Sequence, residues 1–213
     1  MEKQSTKARQ IYLAITATIA WFAVFSQFYI NLVDRSIPVF EVVIRFFSYF
    51  TILTNILVAL CFTCLLLKPK SKQGEFFARS GVLTAITSYI TFVWIAYNIL
   101  LRHLWNPEGF QLLVDELLHT FVPLLSILYW LIFVRKDGLQ WKSVLPWTIY
   151  PVVYILCVTI LGALSGFYPY PFIDISSLGY FKVVRNDTGL IGAFLLLSLL
   201  FVAVGKLMSK TFR

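Results

Sequence analysis

The chain has few charged residues for its size. Asp, Glu, Lys and Arg make up 13% of its 213 residues, whereas 59% are hydrophobic. Soluble domains usually carry about twice that charged fraction, because a folded chain in water needs a polar surface. The scarcity of charge therefore predicts an integral membrane protein. The net charge of +8 comes from Lys and Arg that flank apolar runs, so it indicates membrane topology rather than nucleic-acid binding.

Metal-ligating residues and known catalytic motifs are also scarce. The chain has two histidines and three cysteines, and Cys61, Cys64 and Cys157 all lie inside apolar runs. Cys61 and Cys64 have the C-x-x-C spacing, but no second pair or neighbouring histidine completes a four-ligand zinc site. We therefore expect small apolar packing residues, and neither a metal nor a cofactor. The sequence has no Gly-x-Ser-x-Gly elbow, Gly-rich phosphate loop or His-Glu-x-x-His motif, which leaves a soluble-type hydrolase, nucleotide enzyme or zinc protease without support.

Six apolar runs are long enough to cross a bilayer, which needs roughly 20 apolar residues per helix. Charged or turn-rich segments such as "KPKSKQGEFFARS" separate them, and no repeat or soluble domain is recognisable. The sequence predicts an all-α integral membrane protein, with residues 1–213 forming one bundle of six transmembrane helices. The first run is too long for a signal-peptide core, so we expect it to remain as a span. The predicted spans are 11–33, 46–67, 81–101, 117–134, 144–165 and 188–205.

The distribution of Lys and Arg predicts the orientation in the membrane. With six spans both termini lie on one side, and that side carries 13 of the 18 basic residues. Because Lys and Arg concentrate in cytoplasmic segments, we expect both termini to be cytoplasmic. The remaining five basic residues are Arg35, Arg45, Arg102, Lys182 and Arg185.

The stretch "DELLHTFVPLLSILYWLIF", residues 115–133, places His119 in an apolar helix. His119 lies in the first turn of the predicted fourth span, and Thr51 lies about 7.5 Å into the second at the helical rise. Because these spans run in the same direction, we expect the imidazole and the hydroxyl at similar depth. An ionisable residue in a span indicates a functional site. The structural alternative is a histidine that only packs and forms hydrogen bonds between helices.

Further polar residues lie near the same end of the predicted bundle. Thr54 and Asn55 share the helical face of Thr51, since offsets of three and four residues project together. Asn98 lies at the end of the third span. An unpaired polar group in hydrocarbon is costly, so we expect these side chains to face the interior and to support the site. A threonine in a membrane helix commonly bonds its own backbone carbonyl, which is the structural alternative for each threonine.

The longest predicted loop on the far side is "GFYPYPFIDISSLGYFKVVRNDTG", residues 166–189. Its prolines and aromatic residues disfavour a helix but are compatible with an ordered flap at the membrane interface. Asp174 in this loop is a candidate to orient His119 or to bind a polar group. The alternative is an interface anchor that carries a solvated acid.

Four pieces of the sequence together resemble one known family. They are "FFSYFTILTN", "HTFVPLL", "WTIYPVVYILCVTILGA" and "YPYPFID". The chain resembles the six-pass family of the androgen-induced gene one protein and the androgen-dependent regulator of tissue factor pathway inhibitor. It is most similar to that family's uncharacterised bacterial members, which implies a multi-pass protein of a bacterial cell membrane. The resemblance covers nearly all six spans.

The resemblance implies a membrane-embedded threonine hydrolase, because the animal members cleave fatty acid esters of hydroxy fatty acids. Their catalytic threonine follows an aromatic and an aliphatic residue, which by resemblance corresponds to Thr51 of "YFT". Their catalytic histidine precedes a threonine and a nearby proline, which corresponds to His119 of "HTFVP". This chain has Phe50 where the animal motif has the aliphatic residue, so the resemblance does not fix the natural ester.

These residues together predict ester hydrolysis by nucleophilic catalysis. A threonine hydroxyl is a weak nucleophile, so Thr51 needs a base within hydrogen-bond reach, and His119 is the histidine inside a span. Asn55 or Asn98 is a candidate donor to the oxyanion. The expected partners are membrane lipids or fatty-acid esters as substrates, without nucleic acid. The alternatives are a non-catalytic lipid or small-molecule binder or transporter, and a structural membrane subunit.

Overall fold

The structure is a computed structural model that describes the backbone of residues 2–211 and the side chains of residues 7–210. The predicted domain, residues 1–213, therefore extends beyond the described residues at both ends, and Arg213 of the basic set lies outside them. All regular structure within residues 2–211 is helical. In this described part of the chain, six helical segments are long and apolar enough to cross a membrane, which confirms the predicted fold class at that level. These spans, numbered one to six, are Lys7–Val33, Phe50–Leu67, Ser80–Leu104, Gly109–Phe133, Trp141–Ser165 and Tyr180–Lys210.

The apolar surface of the bundle is distributed as a membrane requires. Span three is the most buried of the six, and spans five and six are the least buried. Their outward side chains include Leu164, Phe181 and Leu196, which are fully or largely exposed. In water such side chains would be unfavourable, but in a bilayer they face lipid. Helix α1 comprises Glu2–Val33, α8 comprises Val144–Ser165 and α10 comprises Tyr180–Thr211.

The helical conformation is interrupted just before the predicted catalytic threonine, Thr51. A short helix α2, Val39–Phe47, ends before Tyr49, whose backbone is extended, and helix α3 then runs over Phe50–Leu67. The span predicted at about 46–67 thus begins four residues later, at Phe50, because residues 46 and 47 belong to the preceding short helix. Thr51 consequently lies in the first turn of α3 rather than deeper in the helix. Helix α4, Lys72–Phe77, follows in the next loop.

Spans three and four each contain a π-helical turn. Helix α5, Ser80–Ala96, continues into the π turn Tyr97–Leu101 and the 3₁₀ turn Arg102–Leu104. In span four, α6, the π turn and α7 succeed one another without a gap. Pro123 explains the π turn, because in a regular helix its ring would clash with the carbonyl of His119, four residues earlier. The three segments are Gly109–Glu116, Leu117–Phe121 and Val122–Phe133.

Two helix starts differ from the sequence-based prediction. Span four begins at Gly109, so His119 lies ten residues into it rather than in its first turn. Helix α10 begins at Tyr180, which shortens the predicted loop of residues 166–189 to residues 166–179. Apolar runs alone miss such polar helix ends. Within the shorter loop lie the 3₁₀ turn Pro171–Ile173 and the one-turn helix α9, Ile175–Leu178, while the 3₁₀ turn Trp141–Ser143 precedes α8.

Candidate active site

A cavity of about 630 Å³ lies where spans one and three end and spans two and four begin. Thr51 and His119 both line it, so the two residues singled out by the sequence face one space. A volume of this size is typical of small-molecule sites. Part of the cavity lining is polar and includes Gln27, Asn31, Asp34, Arg35, Arg45 and Gln111.

The orientation of His119 is fixed by the acid four residues before it. Its Nδ1 lies 3.0 Å from the backbone oxygen of Asp115 and 3.1 Å from the carboxylate oxygen Oδ1 of the same residue. Both neighbours are acceptors, so Nδ1 carries a hydrogen, and in the neutral imidazole Nε2 then carries the lone pair. Asp115 is only 2% exposed, whereas the His119 side chain is 13% exposed, toward the cavity that it lines. His119 therefore has the tautomer of a base.

Tyr97 completes the support of this pair from span three. Its hydroxyl donates to Oδ2 of Asp115, the oxygen that does not face His119. Its ring stacks on the imidazole, with ring centroids 3.8 Å apart and the planes inclined by 13°. Tyr97 and His119 lie in the two π-helical turns. Such turns frequently occur at functional sites, because they redirect side chains that a regular helix would point elsewhere.

The neighbouring acid, Glu116, has other partners than His119. Glu116 forms a salt bridge with Arg102 through Oε1 and accepts a hydrogen bond from Thr120 through Oε2, at 2.6 Å. Arg102 also lies over the Tyr97 ring, 5.7 Å from its centroid. The two adjacent acids thus have different partners, and Asp115 is the one that contacts the imidazole.

Thr51 is placed at a helix N-terminus, where backbone N–H groups have no acceptor within the helix. Its N–H donates to the hydroxyl of Tyr170 at 3.3 Å, and its Oγ1 lies 3.4 Å from the same hydroxyl. The preceding residue, Phe50, donates its N–H to the hydroxyl of Tyr154 at 3.2 Å. Burial raises the pKa of Tyr170, which keeps the phenol neutral and able to donate. Thr51 is 8% exposed, so only a small part of its surface faces the cavity.

Asn55 connects the threonine helix to the histidine turn. Its Nδ2 donates to the carbonyl of Thr51 at 2.8 Å and to the carbonyl of Leu118 at 3.2 Å. Asn55 is fully buried, so these bonds are shielded from solvent and hold the two backbones in register. Among the hydrogen bonds of residues 7–210, none joins Thr51 directly to His119. The two residues instead share the cavity that both line.

The other residues assigned to support roles lie apart from the cavity lining. Thr54 is fully buried, with its Oγ1 3.2 Å from the Tyr150 hydroxyl. Asn98 donates to the Trp94 carbonyl at 2.8 Å and accepts from Arg102 at 2.7 Å. Asn98 does not line the cavity, so its amide is not placed to donate to the oxyanion.

Asp174 is the N-cap of helix α9 and does not orient His119. Its Oδ1 accepts from the N–H groups of Ser176 at 2.8 Å and Ser177 at 3.3 Å. The Ser176 hydroxyl donates to the same oxygen, and this hydrogen bond is the main reason that the pKa of Asp174 is lowered. The carboxylate that contacts the imidazole is Asp115.

Three residues of the site were missed in the sequence: Asp115, Tyr97 and Tyr170. The spacing of Asp115 and His119, four residues apart, could have identified the pair, because such residues are neighbours on a helix. That signal was lost because the predicted span began two residues after Asp115. Within residues 7–210, no group of three or more His, Cys, Asp and Glu is arranged to hold a metal ion.

Comparison with known proteins identifies no relative. No protein-family model matches the chain, and no curated protein and no solved structure is significantly similar to it.

Proposed function

We propose that the protein is a membrane-embedded hydrolase of lipid esters, and a member of the threonine-hydrolase family that its sequence resembles. Thr51 is the nucleophile and His119 is the general base in this proposal. The observation that carries it is the shared cavity: a threonine hydroxyl and a histidine with a free Nε2 line the same space. A buried carboxylate behind the imidazole is the arrangement that nucleophilic catalysis uses to orient its base.

The proposed reaction proceeds in two steps. Thr51 Oγ1 attacks the carbonyl carbon of the ester while Nε2 of His119 takes the hydroxyl proton. The tetrahedral intermediate collapses, its bond to the alcohol oxygen breaks, and His119 returns the proton to the leaving alcohol. Water then attacks the acyl-threonine with His119 again as base, which releases the carboxylic acid and restores Thr51. Asp115 stabilises the imidazolium that forms twice in this cycle.

Oxyanion stabilisation falls to groups at the start of α3 in this proposal. The hydroxyl of Tyr170 lies 3.4 Å from Thr51 Oγ1 and is the proposed donor, while the N–H of Thr51 positions it by donating to the same hydroxyl. The positive end of the helix dipole lies at this helix start as well. Loss of one such donor typically costs about 100-fold to 1,000-fold in turnover. Asn55 has both its N–H groups directed to backbone carbonyls, so we assign it a positioning role.

The proposed orientation follows the bias of Lys and Arg toward the side of the two termini. Both termini are then cytoplasmic, and the cavity opens toward the outer leaflet of a bacterial cell membrane. Esters of membrane lipids or fatty acids would reach Thr51 from that leaflet, and water would enter along the polar part of the cavity lining.

A non-catalytic binder or transporter of lipids or small molecules is the second candidate. Two observations favour it: the cavity volume suits a bound small molecule, and no hydrogen bond joins Thr51 to His119 in the described residues. Such a protein would bind a lipid ester and release it unchanged.

Turnover of a lipid ester by purified protein distinguishes the two candidates. We expect Thr51→Ala and His119→Ala each to lower turnover by about 1,000-fold or more, with the double variant little worse, because residues that act as a unit are non-additive. A lipid-directed fluorophosphonate should label wild-type protein at Thr51. Thr54→Ala is the matched control, one turn along the same helix, and should retain turnover.

The proposal fails if Thr51→Ala hydrolyses the ester at the wild-type rate. A His119→Ala variant that unfolds while Thr51→Ala keeps its activity would assign the histidine a structural role. Binding of the ester by wild-type protein without turnover or labelling would favour the binder.

A further inference from the structure

The loop between spans two and three concentrates positive charge on the side of the two termini. Residues 68–79, "KPKSKQGEFFAR", carry four basic residues and one acid, which gives a net charge of +3. We call this segment the basic loop. All five charged side chains are exposed, and no salt bridge among residues 7–210 includes any of them. The basic residues are Lys68, Lys70, Lys72 and Arg79, and the acid is Glu75.

The other loop on this side, residues 134–140, directs its charges to partners within the chain. Arg135 forms a salt bridge with Asp137 at 2.7 Å. Lys136 is buried and donates to two backbone carbonyls. Membrane topology requires only that basic residues lie on this side, and both loops satisfy it. The basic loop differs because its charges are not neutralised by neighbouring acids.

Short-range contacts fold the basic loop against the end of α3. The Ser71 hydroxyl caps α4 by accepting from the N–H of Gly74 at 3.1 Å, and it donates to the Lys68 carbonyl at 2.8 Å. Gly74 is buried, and a β-carbon at this position would overlap the carbonyl oxygen of Lys68. Only glycine therefore allows α4 to approach α3 so closely. The basic side chains consequently extend from a well-defined turn.

The basic loop also exposes an aromatic ring at the membrane boundary. Phe76 is 47% exposed, whereas the adjacent Phe77 packs against the core. The guanidinium of Arg79 lies over the Phe76 ring, 5.7 Å from its centroid. The loop follows directly after Leu67, where span two ends, and stops directly before Ser80, where span three begins. Basic and aromatic side chains at such a boundary contact lipid headgroups and the adjoining part of the acyl chains.

We propose that the basic loop is a binding surface for anionic phospholipids in the leaflet on the side of the two termini. Clustered Lys and Arg next to a transmembrane helix attract lipids with negatively charged headgroups. The exposed Phe76 favours a lipid over a soluble acidic partner, because its ring can also contact acyl chains. In the orientation proposed above, this leaflet is the inner one. The inference does not depend on the proposed hydrolase, since the loop and the site of Thr51 lie at opposite ends of span two.

The affinities for an anionic and a zwitterionic lipid test this surface. Native mass spectrometry of the full chain in neutral detergent measures binding of phosphatidylglycerol and of phosphatidylcholine with the same acyl chains. Each basic residue near the lipid contributes about fivefold in affinity. Replacing Lys68, Lys70 and Lys72 together by Gln should therefore weaken phosphatidylglycerol binding at least about tenfold and leave phosphatidylcholine binding within about twofold. Equal affinities of the wild type for the two lipids would overturn the proposal.

The matched control removes three charges from scattered positions on the same side, by Arg135→Gln, Lys142→Gln and Lys210→Gln. All three side chains are exposed, and the control should keep its phosphatidylglycerol affinity within about twofold. Equal losses in the two triple variants would show an effect of net charge alone and overturn the surface. Glu75→Gln makes the opposite change within the loop and should tighten phosphatidylglycerol binding about twofold to fivefold. Unchanged binding in Glu75→Gln would contradict the proposal even if the lysine variant did not fold.

Photocrosslinking locates the bound lipid. A phosphatidylglycerol with a diazirine in its headgroup should label residues 68–79 in wild-type protein, and the lysine variant should lose this labelling. Labelling confined to other segments would reject the basic loop as the site. Inorganic phosphate at constant ionic strength should not displace the lipid, and displacement would assign the loop to a soluble anion instead. Thr51→Ala should be labelled as the wild type is, whether or not the protein hydrolyses esters.

Discussion

The two ends of the bundle both bury polar side chains, but they arrange them differently. At the end where span four finishes, Lys136 is 8% exposed and donates through Nζ to the carbonyls of Trp130 at 2.6 Å and Leu131 at 2.8 Å. These carbonyls belong to the last turn of the helix, which has no N–H partners of its own. At the cavity end, by contrast, His119 keeps a free Nε2 beside an open space.

The end near Lys136 uses its polar groups to join helices. The Trp130 indole N–H donates to Thr84 of span three at 2.8 Å, and the Tyr12 hydroxyl of span one donates to the Leu125 carbonyl at 2.8 Å. Each of these donors has its acceptor inside the bundle. Burial of an ionisable residue therefore does not by itself indicate a site. The distinguishing features are an uncommitted lone pair, a nucleophile facing the same cavity and a route to substrate.

After the catalytic pair itself, the largest effect that separates the two ends is expected for Asp115→Asn. The asparagine amide can present a donor to Nδ1 and so stabilise the wrong tautomer of His119, with the hydrogen on Nε2. We expect kcat for a lipid ester to fall about 100-fold or more, with KM little changed, as for loss of a group that positions the base. Steady-state kinetics at equal thermal stability provide the measurement. A variant with the wild-type kcat would remove Asp115 from the mechanism.

A smaller loss at the same end is expected for Tyr97→Phe. The substitution keeps the ring that stacks on His119 and removes only the hydroxyl that donates to Asp115. One buried hydrogen bond to a carboxylate is worth roughly 1.5–3 kcal/mol, and only part of this acts on the transition state. We expect kcat to fall about tenfold, which corresponds to 1.4 kcal/mol. Tyr97→Leu, which also removes the stacking ring, should cost more than Tyr97→Phe; equal costs would contradict the role of the hydroxyl.

The sequence predicted the helical architecture better than the geometry of the site. Each of the six apolar runs is long enough to cross a bilayer, so six helices follow from length and hydropathy alone. The break before Thr51 could not be predicted that way, because Phe46 and Phe47 extend the apolar run through the end of α2. Pro123 marks the π turn of span four, whereas no proline marks the π turn Tyr97–Leu101 of span three. The equal depth predicted for Thr51 and His119 depended on helix starts that differ from those of the structure. Both residues nevertheless line one cavity.

At the opposite end a substitution should change stability and leave turnover intact. Thr84→Val removes the acceptor of the Trp130 indole N–H while keeping the shape of the side chain. Hydrogen bonds between membrane helices are worth about 1 kcal/mol, so we expect a lower thermal midpoint in detergent. Ester turnover below that midpoint should match the wild type. A large loss of turnover in the folded variant would mean that the two ends are coupled.

The smallest effect is expected at Asp174. The sequence suggested this residue as a partner of His119, but in the structure it caps helix α9. Asparagine caps helices about as well as aspartate, so Asp174→Asn should keep the loop that carries Tyr170 in place.

The hydrogen bond from Ser176 lowers the pKa of Asp174. A carboxylate with a lowered pKa contributes its stabilisation above its ordinary pKa and loses it only as the pH falls through the lowered value. Between pH 6 and pH 8 the group stays ionised, so its titration should not affect the rate. Wild type and Asp174→Asn should therefore give superimposable pH–rate profiles in that range, whereas Asp174→Ala, which lacks the cap, should show a modest loss. A loss in Asp174→Asn as large as that of Asp115→Asn would make Asp174, after all, a partner of the catalytic histidine.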